Sequence, residues 1–456
     1  MSVNRVLCLG GILAGWVTLG TCGVAPPTYD VVIVGGGATG TYAAVRLRED
    51  FKKSVLVVEK STVLGGHVDT YIDPITQFPI DYGVQAYHNY STVTNFFGRF
   101  GIPLETAIQP PVDTRYIDLR TGKPSAFVPQ DPTAALGAFA AQAYQYPYLV
   151  DGYSLPDPVP ADLLLPFGDF VKKYNLAAAI PTFLRFGSNL GNMNTATTLY
   201  VLMNFGIPQL ANDYLITSRH DNSELYRAAA KLLGKDVLYS STVKDAECTA
   251  RGTHVLKIKT KDGTQTVYAK KLLITIPPTK DNMNPFNPTD AEAKLYEKFK
   301  YGTYWTGLVR GGIPDGISVQ NSANGSPYYL PGSPYVENFD FTGVPGLHSF
   351  HAVSTDGFPL NTEVGATVFT TAQLVSMTLA KTFNVQGVPK VEVIKDHTPI
   401  QLRVGSDVVK GGFYRKLYAL QGQKNTFFTG AAWAPDDTGL LWNFTEGILA
   451  KLVASF

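Results

Sequence analysis

The stretch 29–59 constrains the fold most, because it packs two strands, a glycine-rich turn and a helix into about 30 residues. The apolar runs 31–34 and 55–58 predict strands that are covered on both faces. Residues 42–47 predict a helix between them, and the pattern G-x-G-x-x-G occupies residues 35–40. This order of elements is that of a dinucleotide-binding βαβ unit.

The residues of the turn suit a bound pyrophosphate. Gly35 permits the tight turn, Gly37 lets the backbone approach the phosphates, and Gly40 lets the helix pack closely on the strand. Ala38 and Thr39 open the helix, where free N–H groups and the positive end of the helix dipole attract anions. We therefore predict that these five residues bind a dinucleotide.

Two further features follow the second strand. Glu59 is spaced to accept hydrogen bonds from the hydroxyls of an adenosine ribose. The pair Gly65–Gly66 lets backbone run against a second stretch of the cofactor, which a simple NAD-binding fold does not need. No second glycine fingerprint for a nicotinamide nucleotide follows residue 40.

Composition limits the remaining possibilities. The chain has 456 residues, of which 45% are hydrophobic and 16% charged, so it can fold into two or three interwoven globular domains. A net charge of +1 without charge runs gives no support for a nucleic-acid-binding face. Aromatic residues make up 12%, which favours a large aromatic core, with an aromatic-lined pocket as the alternative.

The first 25 residues predict a signal peptide. Arg5 precedes the apolar run 6–19, and small residues suited to cleavage follow it. An uncleaved anchor is the alternative, although four glycines make the run a poor bilayer span, so no stable membrane span is expected. Without the leader only Cys248 remains, which excludes an internal disulfide. The secretory pathway is thus the expected location, and three glycosylation sequons suit it: Asn89, Asn324 and Asn443.

These pieces together resemble the flavin-containing amine oxidase superfamily, and most closely its fungal branch named for β-cyclopiazonate dehydrogenase. The 35–40 loop with Glu59 resembles the FAD fingerprint of the superfamily, and residues 64–67 resemble its Leu-Gly-Gly-Arg segment. Residues 222–243 resemble the helix and strand that reach the adenine. The resemblance implies the following cofactor contacts in addition to those above: His67, a backbone contact at Val243, and Gly430, Glu446 and Gly447 in the carboxy-terminal motif, where a helix start covers the flavin ring.

The resemblance implies a noncovalently bound FAD and an α/β fold in which a Rossmann-type FAD-binding domain is interwoven with a mixed α+β substrate domain. On this basis the FAD-binding segments are 28–95, 211–284 and 396–456, and the substrate-domain segments are 96–210 and 285–395. The chain departs from the superfamily pattern at two positions, and the second departure weighs against amine oxidation. His67 stands where the superfamily usually has arginine, and Thr306 stands where amine oxidases carry a lysine that holds water at flavin N5.

The fungal branch oxidises prenylated or terpenoid secondary metabolites, often with ring closure, so the resemblance implies a small hydrophobic substrate. Hydride transfer to a flavin leaves a cation, which aromatic faces stabilise and an internal nucleophile can trap. No motif identifies a catalytic acid or base, and each aromatic candidate is at least as readily a core residue. The candidates for the catalytic wall are Trp433, Trp442, Phe444, Tyr304 and His67.

The electron acceptor is expected to be O₂ or an unknown acceptor. No metal site is predicted, because His348 and His351 have no third ligand at suitable spacing. The alternatives are an amine or amino-acid oxidase that produces peroxide, a redox-neutral flavin isomerase of unsaturated lipids, and a flavin-binding protein without turnover.

Overall fold

A computed structural model of the chain describes residues 26–108, 111–332, 335–354 and 362–456. The predicted signal peptide lies outside the described residues. The described strands, in chain order, are β1 (Thr28–Val34), β2 (Val55–Val58), β3 (Thr70–Ile72), β4 (Pro79–Asp81), β5 (Tyr87–His88), β6 (Leu104–Thr106), β7 (Asp113–Asp118), β8 (Lys123–Pro124), β9 (Tyr214–Thr217), β10 (Val237–Leu238), β11 (Thr242–Cys248), β12 (His254–Thr260), β13 (Gly263–Ile274), β14 (Lys300–Arg310), β15 (Ile317–Asn321), β16 (Tyr335–Phe341), β17 (Leu347–Ser354), β18 (Lys390–Asp396), β19 (Ile400–Arg403) and β20 (Thr426–Phe428).

Helices are interspersed among these strands. In chain order they are α1 (Ala38–Val45, continued by a π-helical turn to Asp50), α2 (Ser91–Arg99), α3 (Thr133–Ala143), α4 (Phe167–Tyr174), α5 (Ile180–Gly187), α6 (Thr198–Asn204), α7 (Ile207–Ala211), α8 (Ser223–Leu233), α9 (Lys280–Met283), α10 (Asp290–Tyr296), α11 (Thr362–Thr382), α12 (Ser406–Lys410), α13 (Phe413–Tyr418) and α14 (Thr438–Ala454).

The first sheet has the order β10-β2-β1-β13-β12-β11, with β20 beside β13. β1 pairs in parallel with β2 and with the second half of β13, and β20 also runs parallel to β13. The apolar residues of β1 and β2 are buried, as their runs predicted, because α1 and α8 cover one side and an aromatic core covers the other. The carboxyl ends of five parallel strands, including β10, therefore meet at one edge, where doubly wound sheets bind nucleotides.

The second sheet has the order β18-β14-β17-β16-β15-β7-β8, with β19 beside β14. Trp305 and Val309 of β14 pack toward α11 on one face. Leu308, on the opposite face, packs against Ile80 and Tyr82 from the first half of the chain. Because side chains alternate along a strand, Tyr304 and Thr306 share the face of Leu308 and point toward the nucleotide-binding half.

Helices α3 to α7 enclose an aromatic core, which includes Phe139, Phe170, Phe183 and Phe205. Many of the aromatic residues therefore serve packing. The predicted α/β class with two interwoven halves is confirmed, whereas the exact segment boundaries stay predictions. Among the described residues, no helix combines the length and apolar character needed to cross a bilayer.

The last helix, α14, starts at Thr438. The Asp437 side chain caps this helix and accepts a hydrogen bond of 3.1 Å from the backbone N–H of Leu440. Gly439 in the first turn lies close to a neighbouring element, because a Cβ there would be 3.1 Å from the Tyr90 ring.

Candidate functional site

The glycine loop joins β1 to α1 with no room for side chains at two positions. Gly35 has a φ of +101°, a conformation that side chains disfavour. A Cβ on Gly40 would lie 1.9 Å from the carbonyl oxygen of Gly35, so only glycine allows the helix to approach the strand. Both roles are those predicted from the sequence.

The second glycine pair lies directly on this loop. Gly65 forms an isolated bridge with Gly37, and its N–H donates to the Gly36 carbonyl over 2.9 Å. Gly66 has a φ of +62°, and a Cβ there would lie 3.0 Å from the Cα of Gly37. The chain from Gly65 to His67 therefore begins at the phosphate loop and leads away from it.

Glu59 lies at the edge of this loop and is 7% exposed. One carboxylate oxygen accepts from the Gly36 N–H over 2.6 Å, and the other accepts from the Ser61 N–H over 2.6 Å. The Glu59 carbonyl accepts from the Ser241 N–H at 2.9 Å, which brings the start of β11, and with it Val243, to the same region. A ribose between the loop and β11 would meet the Glu59 carboxylate.

These residues fit an adenine dinucleotide. A Cβ on Gly37 would meet only the Gly66 Cα, at 3.7 Å, so the space in front of the loop is open to phosphate. Within the described residues, the N–H groups of Ala38, Thr39 and Gly40 have no hydrogen-bond acceptor. They are the unsatisfied donors that a helix start offers to anions.

The carboxy-terminal segment reaches the same edge of the first sheet. The Thr429 N–H donates to the Ile274 carbonyl over 3.1 Å, and Gly430 has a φ of +120°. A Cβ on Gly430 would lie 3.0 Å from the Thr275 carbonyl oxygen. Gly430 thus stands beside the end of β13, and the chain continues from it toward Asp436 and the start of α14.

Four side chains beyond the loop indicate an internal space bounded by both halves of the chain. His67, Tyr304, His351 and Asp436 keep accessible surface although protein atoms surround each of them, so they line this space. Burial raises the pKa of Tyr304 well above its ordinary value, and the charge of Asp436 adds to the effect. Burial also raises the pKa of Asp436 to about 6, assisted by the neighbouring Asp437.

A histidine cluster forms the wall next to the phosphate loop. The rings of His67 and His397 stack with centroids 4.4 Å apart. His397 donates its Nε2–H to Asp69 Oδ2 over 2.8 Å, and Lys395 Nζ lies 3.2 Å from the other Asp69 oxygen. Tyr304 extends the cluster to His351, with a ring-centroid distance of 5.5 Å.

The protonation states of the cluster differ. Burial, and to a smaller extent the neighbouring His397, lower the pKa of His67 to about 3. Burial also lowers the pKa of His351 to about 4. Burial of Asp69 opposes ionisation, but the hydrogen bond and charge of His397, with Lys395, outweigh it and lower the pKa of this carboxyl. His67 and His351 are therefore neutral near pH 7, and Asp69 is a carboxylate.

Comparison with known proteins gives the family. The model of an NAD(P)-binding Rossmann-like domain matches residues 33–100. The β-cyclopiazonate dehydrogenase of Aspergillus oryzae is 36% identical over 93% of this chain and 93% of its own length. The chain belongs to this family of FAD-dependent oxidoreductases. The FAD-dependent oxidoreductase oblC of Cochliobolus heterostrophus is 38% identical over 94% of this chain and 92% of its own length. The FAD-dependent oxidoreductase pigF of Monascus ruber is 35% identical over 92% of this chain and 90% of its own length.

Solved structures support the same fold. A fatty acid isomerase from P. acnes superimposes with a TM-score of 0.72 over 93% of this chain and 98% of its own, at 17% identity. A putrescine oxidase variant superimposes with a TM-score of 0.64 over 94% and 99%, at 14% identity. At such identities the likeness concerns the fold of this FAD-dependent oxidoreductase and not its substrate.

Two residues predicted to contact the cofactor lie well inside the last helix. Because α14 starts at Thr438, Glu446 and Gly447 are two turns into the helix of this FAD-dependent oxidoreductase. Glu446 accepts from Arg46 Nε and from the Tyr42 hydroxyl, each over 2.7 Å, and Gly447 is exposed. Glu446 therefore joins α14 to α1, and the contact of these two residues with the flavin stays a prediction.

The carboxy-terminal aromatic candidates belong mainly to the core. Trp442 is fully buried, stacks on Tyr42 at 5.1 Å and donates to the Ala38 carbonyl over 3.1 Å. Trp433 is 1% exposed and stacks on Phe428 at 5.0 Å. Only Phe444 is partly exposed, next to Tyr418. The tryptophans therefore pack against α1 and the end of β20 within the core. Among the aromatic candidates for the catalytic wall, Tyr304 is the one that faces the internal space.

Three side chains that bound or face the internal space, Asp69, His397 and Asp436, were not among the residues predicted from the sequence. Asp69 and His397 are 328 positions apart and meet only because the second sheet packs on the segment after Gly66. Asp436 and its neighbour could have been noticed, because two acids before an apolar run are typical of a helix start.

Proposed function

We propose that this chain uses FAD to remove hydride from an activated C–H bond of a hydrophobic secondary metabolite, a prenylated alkaloid or a terpenoid. Removal of hydride leads to a new double bond or, where an internal nucleophile lies close, to a new ring. Relatives that include a β-cyclopiazonate dehydrogenase support a metabolite substrate. One observation carries the proposal: the wall expected to face the flavin holds neutral aromatic and imidazole groups at Tyr304, His351 and His67.

Thr306 argues against an amine substrate. Its side chain is 1% exposed, and its hydroxyl donates to the Tyr82 carbonyl, so the hydroxyl proton is not available to a water at the position of the amine oxidase lysine. The internal space thus differs from an amine oxidase site at the position where the flavin-bound water would be held.

The cofactor would be held along its whole length by residues already described. The amides at the start of α1 would hold the pyrophosphate, Glu59 the ribose and the start of α14 the ring end. When bound, the flavin supplies two-electron oxidation by accepting a hydride. The chain itself binds the substrate against Tyr304, excludes water and orients the reacting C–H bond.

We further propose that FAD is bound without a covalent link and that O₂ or an unidentified acceptor reoxidises it. The one cysteine outside the leader supports the first point, because Cys248 Sγ lies against the Lys424 carbonyl at 3.5 Å, on β11 and away from the histidine cluster. Entry into the secretory pathway remains part of the proposal, and the exposed sequon residues Asn89, Asn324 and Asn443 are compatible with it.

Anaerobic flavin bleaching tests the proposal. The purified protein should be yellow and release its flavin on denaturation. Prenylated indole alkaloids or terpenoid pyrones should bleach the flavin, and simple amines should not. Bleaching by amines with release of ammonia would instead show an amine oxidase. Conversion of unsaturated lipids without oxygen uptake would show an isomerase, and a flavin that no compound reduces would contradict turnover.

A further inference from the structure

We propose that His397, oriented by Asp69, is the catalytic base that takes the substrate proton during oxidation. This inference rests on the proposed function, because it assigns a chain residue to the same internal space. Oxidation of a C–H bond to a double bond or ring removes a hydride and a proton, and the flavin accepts only the hydride. A second acceptor is therefore needed for the proton.

The hydrogen-bond pattern singles out one imidazole of the cluster. A carboxylate only accepts hydrogen bonds, so the 2.8 Å contact with Asp69 fixes the proton of His397 on Nε2 and leaves a lone pair on Nδ1. Within the described residues, Nδ1 of His397 has no hydrogen-bond partner. His351 differs, because its Nδ1 lies 3.1 Å from the amide oxygen of Asn338, and an amide cannot balance a positive charge.

Position supports the same assignment. His397 stacks on His67, which follows the glycine pair that touches the phosphate loop, and its ring centroid is 6.3 Å from that of Tyr304. The His397 backbone N–H donates to the Tyr304 carbonyl over 2.9 Å, which ties it to the wall. His397 is therefore held by a backbone hydrogen bond to β14, by the hydrogen bond to Asp69 and by the stacked ring of His67.

Among the charged groups around the pair, Asp69 favours proton uptake at His397, whereas the cations Lys395 and Lys60 oppose it. Lys395 shares the Asp69 carboxylate, Lys60 lies near His67, Tyr82 faces Asp69, and Tyr304 and His351 lie on the second sheet. Burial keeps the pKa of His67 at about 3, so the ring stacked on His397 adds no second positive charge near pH 7. An imidazolium at His397 would be paired with the Asp69 carboxylate.

The step balances as follows. The substrate C–H bond breaks, and its electron pair leaves with the hydride to the flavin. A neighbouring O–H, N–H or C–H bond of the substrate gives its proton to His397 Nδ1, and the electron pair of that bond forms the new double bond or ring bond. The proton then passes from His397 to solvent. The favoured substrate therefore carries an ionisable hydrogen close to the carbon that is oxidised.

Histidine NMR tests the pair without any substrate. The holoprotein is labelled with ¹⁵N-histidine, and the His397 signal among the seven histidines is identified by its loss in His397→Gln. At alkaline pH the wild type should show the Nε2–H tautomer, and Asp69→Asn should mix the two tautomers. An Nδ1–H tautomer in the wild type, or no change in Asp69→Asn, would overturn the proposal.

Stopped-flow reduction tests the catalytic role with a compound that bleaches the wild-type flavin. His397→Gln should slow anaerobic reduction by about 100-fold or more with unchanged flavin content. The rate of flavin reduction in Asp69→Asn should lie between the rates of the wild type and His397→Gln. The matched control is His348→Gln. His348 is a buried histidine of the same sheet, and its Nε2 donates to the Ile317 carbonyl at 3.0 Å, so the flavin of this variant should be reduced at the wild-type rate.

Reduction of His397→Gln at the wild-type rate would overturn the proposal. If no compound reduces the wild type, the proposed function fails, whereas the tautomer measurement still decides whether the pair exists as described.

Discussion

The two walls of the proposed FAD site are built from different parts of the polypeptide. The nucleotide wall is backbone: glycines at 35, 37, 40, 65 and 66 let main chain approach main chain and leave amides free. The opposite wall is side chains, with the His67–His397 stack, Tyr304 and His351. A backbone site depends on local geometry and tolerates almost no substitution, whereas a side-chain site can change its chemistry without changing the fold.

The strongest test of this difference between the two walls is to add a methyl group at a loop glycine. Gly40→Ala would place Cβ 1.9 Å from the Gly35 carbonyl oxygen, so we expect a loss of about 4 kcal/mol or more and little soluble yellow protein. The matched control is Gly447→Ala, an exposed helix position with nothing within 4 Å, which should gain ~0.5–1 kcal/mol.

Expression yield and thermal melting of the two variants decide the point. A Gly40→Ala protein that melts like the wild type would show that the loop is not packed as described. Loss of flavin from Gly447→Ala would support the predicted contact of that residue with the cofactor.

Gly37→Val separates ligand binding from folding within the same loop. Its Cβ would meet only the Gly66 Cα, at 3.7 Å, so the chain should fold, but the side chain should occupy the phosphate position. We expect a colourless, folded protein, measured as the ratio of flavin absorbance to protein and by circular dichroism. Gly98→Val, on the surface of α2, is the control that should stay yellow. Full flavin content in Gly37→Val would contradict the placement of the pyrophosphate.

On the side-chain wall, Asp436 should give a pH-dependent stability. Its pKa of about 6 when folded lies above about 3.9 for an unfolded chain. The protonated carboxyl is thus favoured by folding, and this contribution is present below pH 4 and is lost as pH rises through 6. The Asp436→Asn variant should not show this loss. The free energy of unfolding of Asp436→Asn minus that of the wild type should therefore rise by about 3 kcal/mol at most between pH 4 and pH 7.

Melting temperatures across that range, with the exposed Asp281→Asn as control, provide the measurement. A difference between Asp436→Asn and wild type that does not vary with pH would show that this carboxyl is not enclosed.

The smallest effect is expected at the joint between α1 and α14. Burial of Glu446 opposes ionisation, but the hydrogen bonds of Arg46 and Tyr42 outweigh it and lower the pKa of this carboxyl. Its contribution to stability is therefore present above about pH 4.3 and is lost as pH falls below it. Glu446→Gln should lose about 1 kcal/mol near pH 7 and keep its flavin.

Glu105→Gln, an exposed carboxylate, should leave the melting temperature unchanged. Loss of flavin in Glu446→Gln would instead support a direct contact with the cofactor.

The sequence predicted the backbone wall well because its constraints are local. The spacing of Gly35 to Gly40, the buried strand before it and Glu59 after it lie within one short segment, and each glycine has a steric reason.

The side-chain wall could be predicted only in part, because its members come from distant segments. Tyr304 and His67 were candidates from the sequence, whereas the pairing of His397 with Asp69 was not predicted. His397 meets Asp69 only after β14, β17 and β18 have paired and packed against the β3–β4 hairpin region. Burial then decides which imidazole stays neutral, and burial is a property of the packed structure. Trp442 shows the converse, since its place next to the motif suggested the pocket and tertiary packing put it in the core.

A crystal structure of the yellow protein tests the central claim most directly. We predict electron density for FAD with its pyrophosphate at the N–H groups of residues 38–40, its ribose at Glu59, and its ring between His67, Thr306 and the start of α14. Density for the ring outside the space bounded by Tyr304, His351 and Asp436, or a flavin-free protein that oxidises its substrate at full rate, would contradict the account.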